Sequence, residues 1–166
     1  MGQIGHGAAA VTIPCAFMAD RIYFEDIPAG ATFTSCRRTI TDADIVNFAG
    51  LSGDFDPLHT DDLFIREHTD YRARIAHGLL TLSIGSGLAG AIDGWQTLAY
   101  LECNRRFVAP VYAGDTVQIE YRVAAKRESR SCPGRGIVTL EVRMTNQDGI
   151  EVQVGQDVNL VACRGR

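Results

Sequence analysis

No excess of positive charge marks this chain: 16 lysines and arginines stand against 20 acids, a formal net charge of −4. That balance gives no support to a surface for nucleic acid or other polyanions. A long apolar run is missing as well. The nearest approach, Ala8 to Ala19, has no positive charge before it and contains Pro14, which argues against a secretory signal, and its length excludes a membrane span. There is no Cys-x-x-Cys pair. The five cysteines (Cys15, Cys36, Cys103, Cys132 and Cys163) are odd in number and scattered, so five free thiols in a reducing cytoplasm are expected rather than a disulfide framework. Repeats, low-complexity tracts and interdomain linkers are absent too. With 166 residues, 46% hydrophobic and 22% charged, the chain has material for one well-cored domain and hardly for two.

Several familiar chemistries lack their patterns. His59, His68 and His77 are too widely spaced for an i, i+4 helical pair, and no Cys/His cluster has zinc spacing, so no metal is expected. Ser52 lies in Gly-Leu-Ser-Gly, without the symmetric elbow of a serine hydrolase. Gly85-Ser-Gly-Leu-Ala-Gly90 is a literal G-x-G-x-x-G, but it falls inside an apolar segment, and Pro110 sits near the place of the required acid. A dinucleotide fingerprint follows a strand and opens a helix, so no nucleotide cofactor is expected. Arg127, Arg130 and Arg135, with Arg105 and Arg106, could meet phosphates, although exposed arginines are usually just solvated.

What is present reads as strand, helices, one buried helix and then four strands. Residues 31–40 have the composition of a first strand. Thr41 followed by Asp44 is a capping signal, with Ile45, Phe48 and Ala49 on one face, predicting a helix over 41–50. Thr60-Asp61-Asp62 caps a second, to about His68. His77 to Ile92 has no acid or base before its end and four glycines, predicting a central helix buried on nearly all sides, with something packed very close to its backbone. Residues 97–108 supply another strand. Val117, Ile119, Tyr121 and Val123 alternate with polar residues, as do Val138, Leu140, Val142 and Met144, and Ile150, Val152 and Val154 after a turn at 146–149. These are half-buried antiparallel strands. Gly155 suggests a bulge. The expectation is an α+β fold, a curled antiparallel sheet around one central helix in a single domain over residues 21–166. Residues 1–20 are expected to be a flexible extension, since Met18-Ala-Asp-Arg reads like a natural start.

The stretch Leu51-Ser-Gly-Asp-Phe-Asp-Pro-Leu-His59 sets a carboxylate and an imidazole five residues apart. Gly53 permits a positive φ, and Pro57 fixes its own φ and pushes Asp56 towards extended geometry, so Asp54 and His59 sit on a stiff mount. Two readings stay open on the residues alone: a helix-capping carboxylate beside a surface imidazole, or a pair that activates and returns the protons of a water. The backbone N–H groups at His77-Gly78, at the start of the buried helix, suit a developing oxyanion, or Gly78 serves packing only. Ser86 is equally a core hydroxyl bonded to its own helix.

Phe48-Ala-Gly-Leu-Ser-Gly-Asp-Phe-Asp-Pro-Leu-His59 resembles the hydratase-2 signature of the MaoC-like dehydratases, the R-specific enoyl-CoA hydratases with a hot-dog fold. Ile75-Ala-His-Gly-Leu-Leu and Phe107 to Asp115 resemble later blocks of the same family. The resemblance implies a hot-dog domain, usually dimeric or a higher homo-oligomer. Such a domain hydrates trans-2-enoyl thioesters of CoA or acyl carrier protein without a metal or redox cofactor. By position, Asp54 and His59 match the catalytic pair, Gly78 the oxyanion donor and Ser86 a further active-site serine; Ser86, His77 and Pro57 are expected against the substrate. Asp56 stands where the family most often has asparagine, and Ile65 where the signature has a small residue. A thioesterase and a non-catalytic acyl-thioester binder are the alternatives.

Overall fold

The computed structural model describes residues 21–165 apart from Ala89 and Ala91. The expected extension over residues 1–20 lies outside the described residues. After a 3-10 turn at Phe24–Asp26, the chain forms β1 (Thr32–Thr34) and β2 (Arg38–Thr39). These two pieces replace the single strand expected over 31–40. Between them, Ser35 donates its hydroxyl to Cys36 O and accepts the Ile119 N–H. A side chain thus takes a bond that a continuous ladder would make with backbone.

Three helices carry the chain to the candidate loop and past it. Helix α1 (Asp42–Ser52) starts on Thr41, whose hydroxyl accepts the Asp44 N–H while the Asp44 carboxylate accepts the Thr41 N–H. It ends at Gly53 in the left-handed region, φ 79°, a conformation glycine adopts without a Cβ penalty. Helix α2 (Pro57–Thr60) has Pro57 at its first turn and Asp56 as its cap, accepting the Leu58 N–H at 2.9 Å. Helix α3 (Asp62–His68) is capped by Asp61. Helix α3 is the second helix expected from the Thr60-Asp61-Asp62 cap to His68; α2 before it is an additional turn, started by Asp56 and Pro57.

Helix α4 (Gly78–Gly87) is followed by β3 (Thr97–Phe107), β4 (Thr116–Glu128), β5 (Arg135–Thr145) and β6 (Glu151–Ala162). All pairings within the sheet are antiparallel, in the order β1-β4-β5-β6-β3, with β2 also on β4. Val117, Ile119, Tyr121, Val123, Val138, Leu140, Val142 and Met144 are all buried, as their alternation predicts. They form the face on which α4 lies: the Tyr121 hydroxyl donates to Gly85 O, and Gln153 Nε2 donates to Thr81 Oγ1 at 2.5 Å.

Four readings need correction. The central helix ends at Gly87 rather than running to Ile92, and it is buried on one face only: Leu80, Thr81, Ile84 and Gly85 are covered, whereas Leu79 is 60% exposed. Close packing explains Gly78 and Gly85, where an added Cβ would lie 3.1 Å from the Phe107 ring and 2.6 Å from Met144 Cε, but around Gly87 there is open space. Gly155 pairs in register with Arg105 and Val142, so it marks no bulge; a Cβ there would sit 1.9 Å from Asn104 O. Finally, Cys103 and Cys132 carry free thiols but Cys36 is disulfide-bonded.

Candidate active site

Asp54 stands just beyond the end of α1, and the turn that follows aims its carboxylate. Its Oδ1 accepts the Asp56 N–H at 3.2 Å, and its own N–H donates to Ser52 Oγ at 3.2 Å. Asp56 is occupied by its own cap on α2. Oδ2 is left over, 3.9 Å from His59 Nε2. The carboxylate is half exposed and the imidazole largely buried, with side-chain exposures of 52% and 11%.

The His59 ring has one defined tautomer in this setting. Its Nδ1 lies 2.7 Å from Ile75 O, and a carbonyl only accepts, so Nδ1 carries the hydrogen and Nε2 keeps its lone pair. A gap of 3.9 Å to Asp54 is too long for a direct bond and suits a water touching both groups. The Ile75 N–H returns a bond to Leu58 O at 3.0 Å. Arg74 adds a clamp, with Nε on Asp62 Oδ1 at 2.8 Å and the guanidinium within 3.4 Å of His59 O and 3.3 Å of Asp42 Oδ1.

His77 lies beneath this pair. Its ring stacks on that of His59, centroids 3.7 Å apart and planes 27° from parallel, and packs 5.1 Å from Phe48. Its Nε2 donates to Asp54 O at 2.9 Å. Eighteen positions apart in the chain, the two histidines are neighbours, which their spacing did not foretell. Asp54, His59 and His77 thus offer one ligand atom each within 4.8 Å of one another, enough by distance to hold a metal ion. Of the two nitrogens of His77, Nε2 is taken by Asp54 O and Nδ1 is buried without a hydrogen-bond partner.

Gly78 opens α4, and no described hydrogen bond claims its N–H; the first N–H groups of a helix have no intrahelical partner. It lines a cleft of about 320 Å³ with His59, Ile75, Thr81, Phe107 and Pro110. Imidazole, helix start and apolar wall therefore share one concavity, with Asp54 outside its wall.

The MaoC like domain family model matches residues 25–146. The chain belongs to that family. An (R)-specific enoyl-CoA hydratase of Rhodospirillum rubrum is 32% identical over 143 residues, 86% of this chain and 94% of that protein. Protein MaoC of Klebsiella aerogenes is 40% identical over 110 residues, 66% of this chain; the chain spans only 32% of that longer relative. A Mycobacterium tuberculosis protein described as a double hotdog fold superposes with a TM-score of 0.75 at 19% identity, over 86% of this chain and 44% of that one. The fold is the hot-dog.

In this MaoC-like domain, the six residues singled out from sequence do not all converge. Asp54, His59, His77 and Gly78 do. Pro57 is exposed at the start of α2. Ser86, two turns along α4, donates to Leu82 O at 3.1 Å and lines a separate cavity of about 440 Å³ with Trp95, Tyr100 and Asp157. There the Tyr100 hydroxyl donates to Asp157 at 2.5 Å, beside the buried Arg105–Asp157 pair. Partial burial of this half-exposed side chain, reinforced by the bond to Asp157, pushes the Tyr100 phenol above the ordinary tyrosine range. Sequence reasoning missed Arg74 and the Ile75 carbonyl. An arginine amid a polar segment carries no signal, and a main-chain acceptor carries none at all.

Proposed function

We propose that this chain is a hydro-lyase for acyl thioesters, reversibly hydrating a trans-2-enoyl thioester of CoA or acyl carrier protein to the (3R)-3-hydroxyacyl thioester. The observation that carries this reading is the His59 Nε2 lone pair, fixed by Ile75 O and facing Asp54 Oδ2 across 3.9 Å, on a cleft that also holds Gly78. A water between the two groups attacks C3. His59 takes its proton, and the proton returned to C2 passes through Asp54, so the elements of one water end on C2 and C3. The Gly78 N–H stabilises the enolate-like thioester oxygen.

A homodimer accompanies this reading. Strand β3 is a sheet edge, paired on one side with β6, and Leu98, Tyr100, Leu101 and Phe107 along it are about half exposed. An open apolar edge of this length invites a second copy; light scattering of the pure protein would read twice the chain mass.

The test of activity is crotonyl-CoA hydration, followed as loss of enoyl-thioester absorbance beside a thiol-release assay. Absorbance loss without thiol supports the hydratase. Thiol release would point to a thioesterase, and silence with crotonyl-CoA and with longer and branched enoyl thioesters to a non-catalytic binder.

A further inference from the structure

We infer that His77 is a positioning residue that holds Asp54, His59 and Gly78 as one unit. The inference rests on the hydratase reading and concerns a side chain which that mechanism does not use. His77 is only 3% exposed and lies outside the cleft wall, although its chain neighbours Ala76 and Gly78 are both in it. Unlike Asp54, which also lies outside that wall but is half exposed, a ring so deeply covered offers no surface to a substrate.

It touches the pair instead. Its Nε2–H donates to the main-chain oxygen of Asp54, and its ring lies flat against His59. Its backbone precedes the first residue of α4, and its carbonyl accepts the Thr81 N–H that begins the helix. A residue at the start of a helix ordinarily spends its side chain on the helix's own free N–H groups; His77 makes no such bond, its side chain being committed to Asp54. One buried ring thereby fixes the carboxylate through its backbone, the imidazole through its face and the oxyanion donor through the chain.

The unpartnered Nδ1 sharpens the point. Burying a polar atom without a partner is unfavourable, and a phenylalanine would fill the space without that penalty. What phenylalanine lacks is the donor to Asp54 O.

Two substitutions divide the roles. His77→Phe keeps a flat ring against His59 and removes the donor; His77→Gln keeps a donor where Nε2 stands and removes the ring. Each is expected to lower kcat by about 10- to 100-fold, the size of loss expected from a misplacement of about an ångström, while KM for crotonyl-CoA stays within about threefold. The second readout needs no turnover: in the proton NMR spectrum, the His59 Nδ1–H bonded to Ile75 O should exchange with solvent faster in both variants than in the wild type. Wild-type inactivity on every enoyl thioester would overturn the hydratase reading and leave the exchange test standing. The positioning role itself is overturned by unchanged exchange in both variants, by a raised KM with unchanged kcat, or by a kcat loss that merely follows the folded fraction seen in near-ultraviolet circular dichroism.

Discussion

The imidazole of His59 donates Nδ1–H to the carbonyl of Ile75 at 2.7 Å, which turns the basic nitrogen towards Asp54. An asparagine at position 59 can keep the first of these features without the second, since its amide nitrogen stands near the place of Nδ1. His59→Asn should therefore fold with a melting temperature close to the wild type and lose about 10²- to 10⁴-fold in kcat, the usual contribution of a positioned general base. Crotonyl-CoA kinetics beside a thermal melt check both halves.

Asp44 makes stability depend on acid. Burial works against its charge, but the Thr41 N–H, the Thr41 hydroxyl and Arg38 outweigh that and hold its carboxyl below the ordinary range. A depressed folded-state pKa means the unfolded chain takes up the proton first as pH falls. The contribution is thus present above the ordinary carboxylate range and lost on descent through the lower folded value. Asp44→Asn should cost about 0.5–1 kcal/mol at pH 7, in the range of a lost cap. Urea midpoints for the two proteins should draw together as the pH falls below the ordinary carboxylate range, and not above it.

The glycines separate by what surrounds them. Gly87→Ala meets open space and should stabilise by up to about 1 kcal/mol. Gly155→Ala drives a Cβ into Asn104 O and forces β3 and β6 apart, costing about 3 kcal/mol or more, beyond ordinary overpacking. Denaturant titration of both variants gives the comparison.

These positions also show what the sequence could carry. Helix α1 was legible because Thr41 and Asp44 announce its start within four residues, and β4 and β5 because burial of one face imposes an alternation that anyone can count. The Asp54 loop was legible for the same local reason, with Gly53 and Pro57 restricting its backbone. The stack of His77 on His59, the Arg74 clamp and the approach of Asn104 to Gly155 join residues far apart in the chain, and no local pattern encodes which partner a side chain will meet. Leu79 was misjudged because an apolar run says that a segment shuns water, not that this chain alone covers every face of it.

The most direct test of the central claim compares crotonyl-CoA hydration by the wild type, Asp54→Asn, His59→Asn and the double variant. If one water is shared by one pair, each single change removes most of the activity and the double variant falls little further, the non-additivity of groups that act as a unit. Near-normal turnover in either single variant would contradict the account.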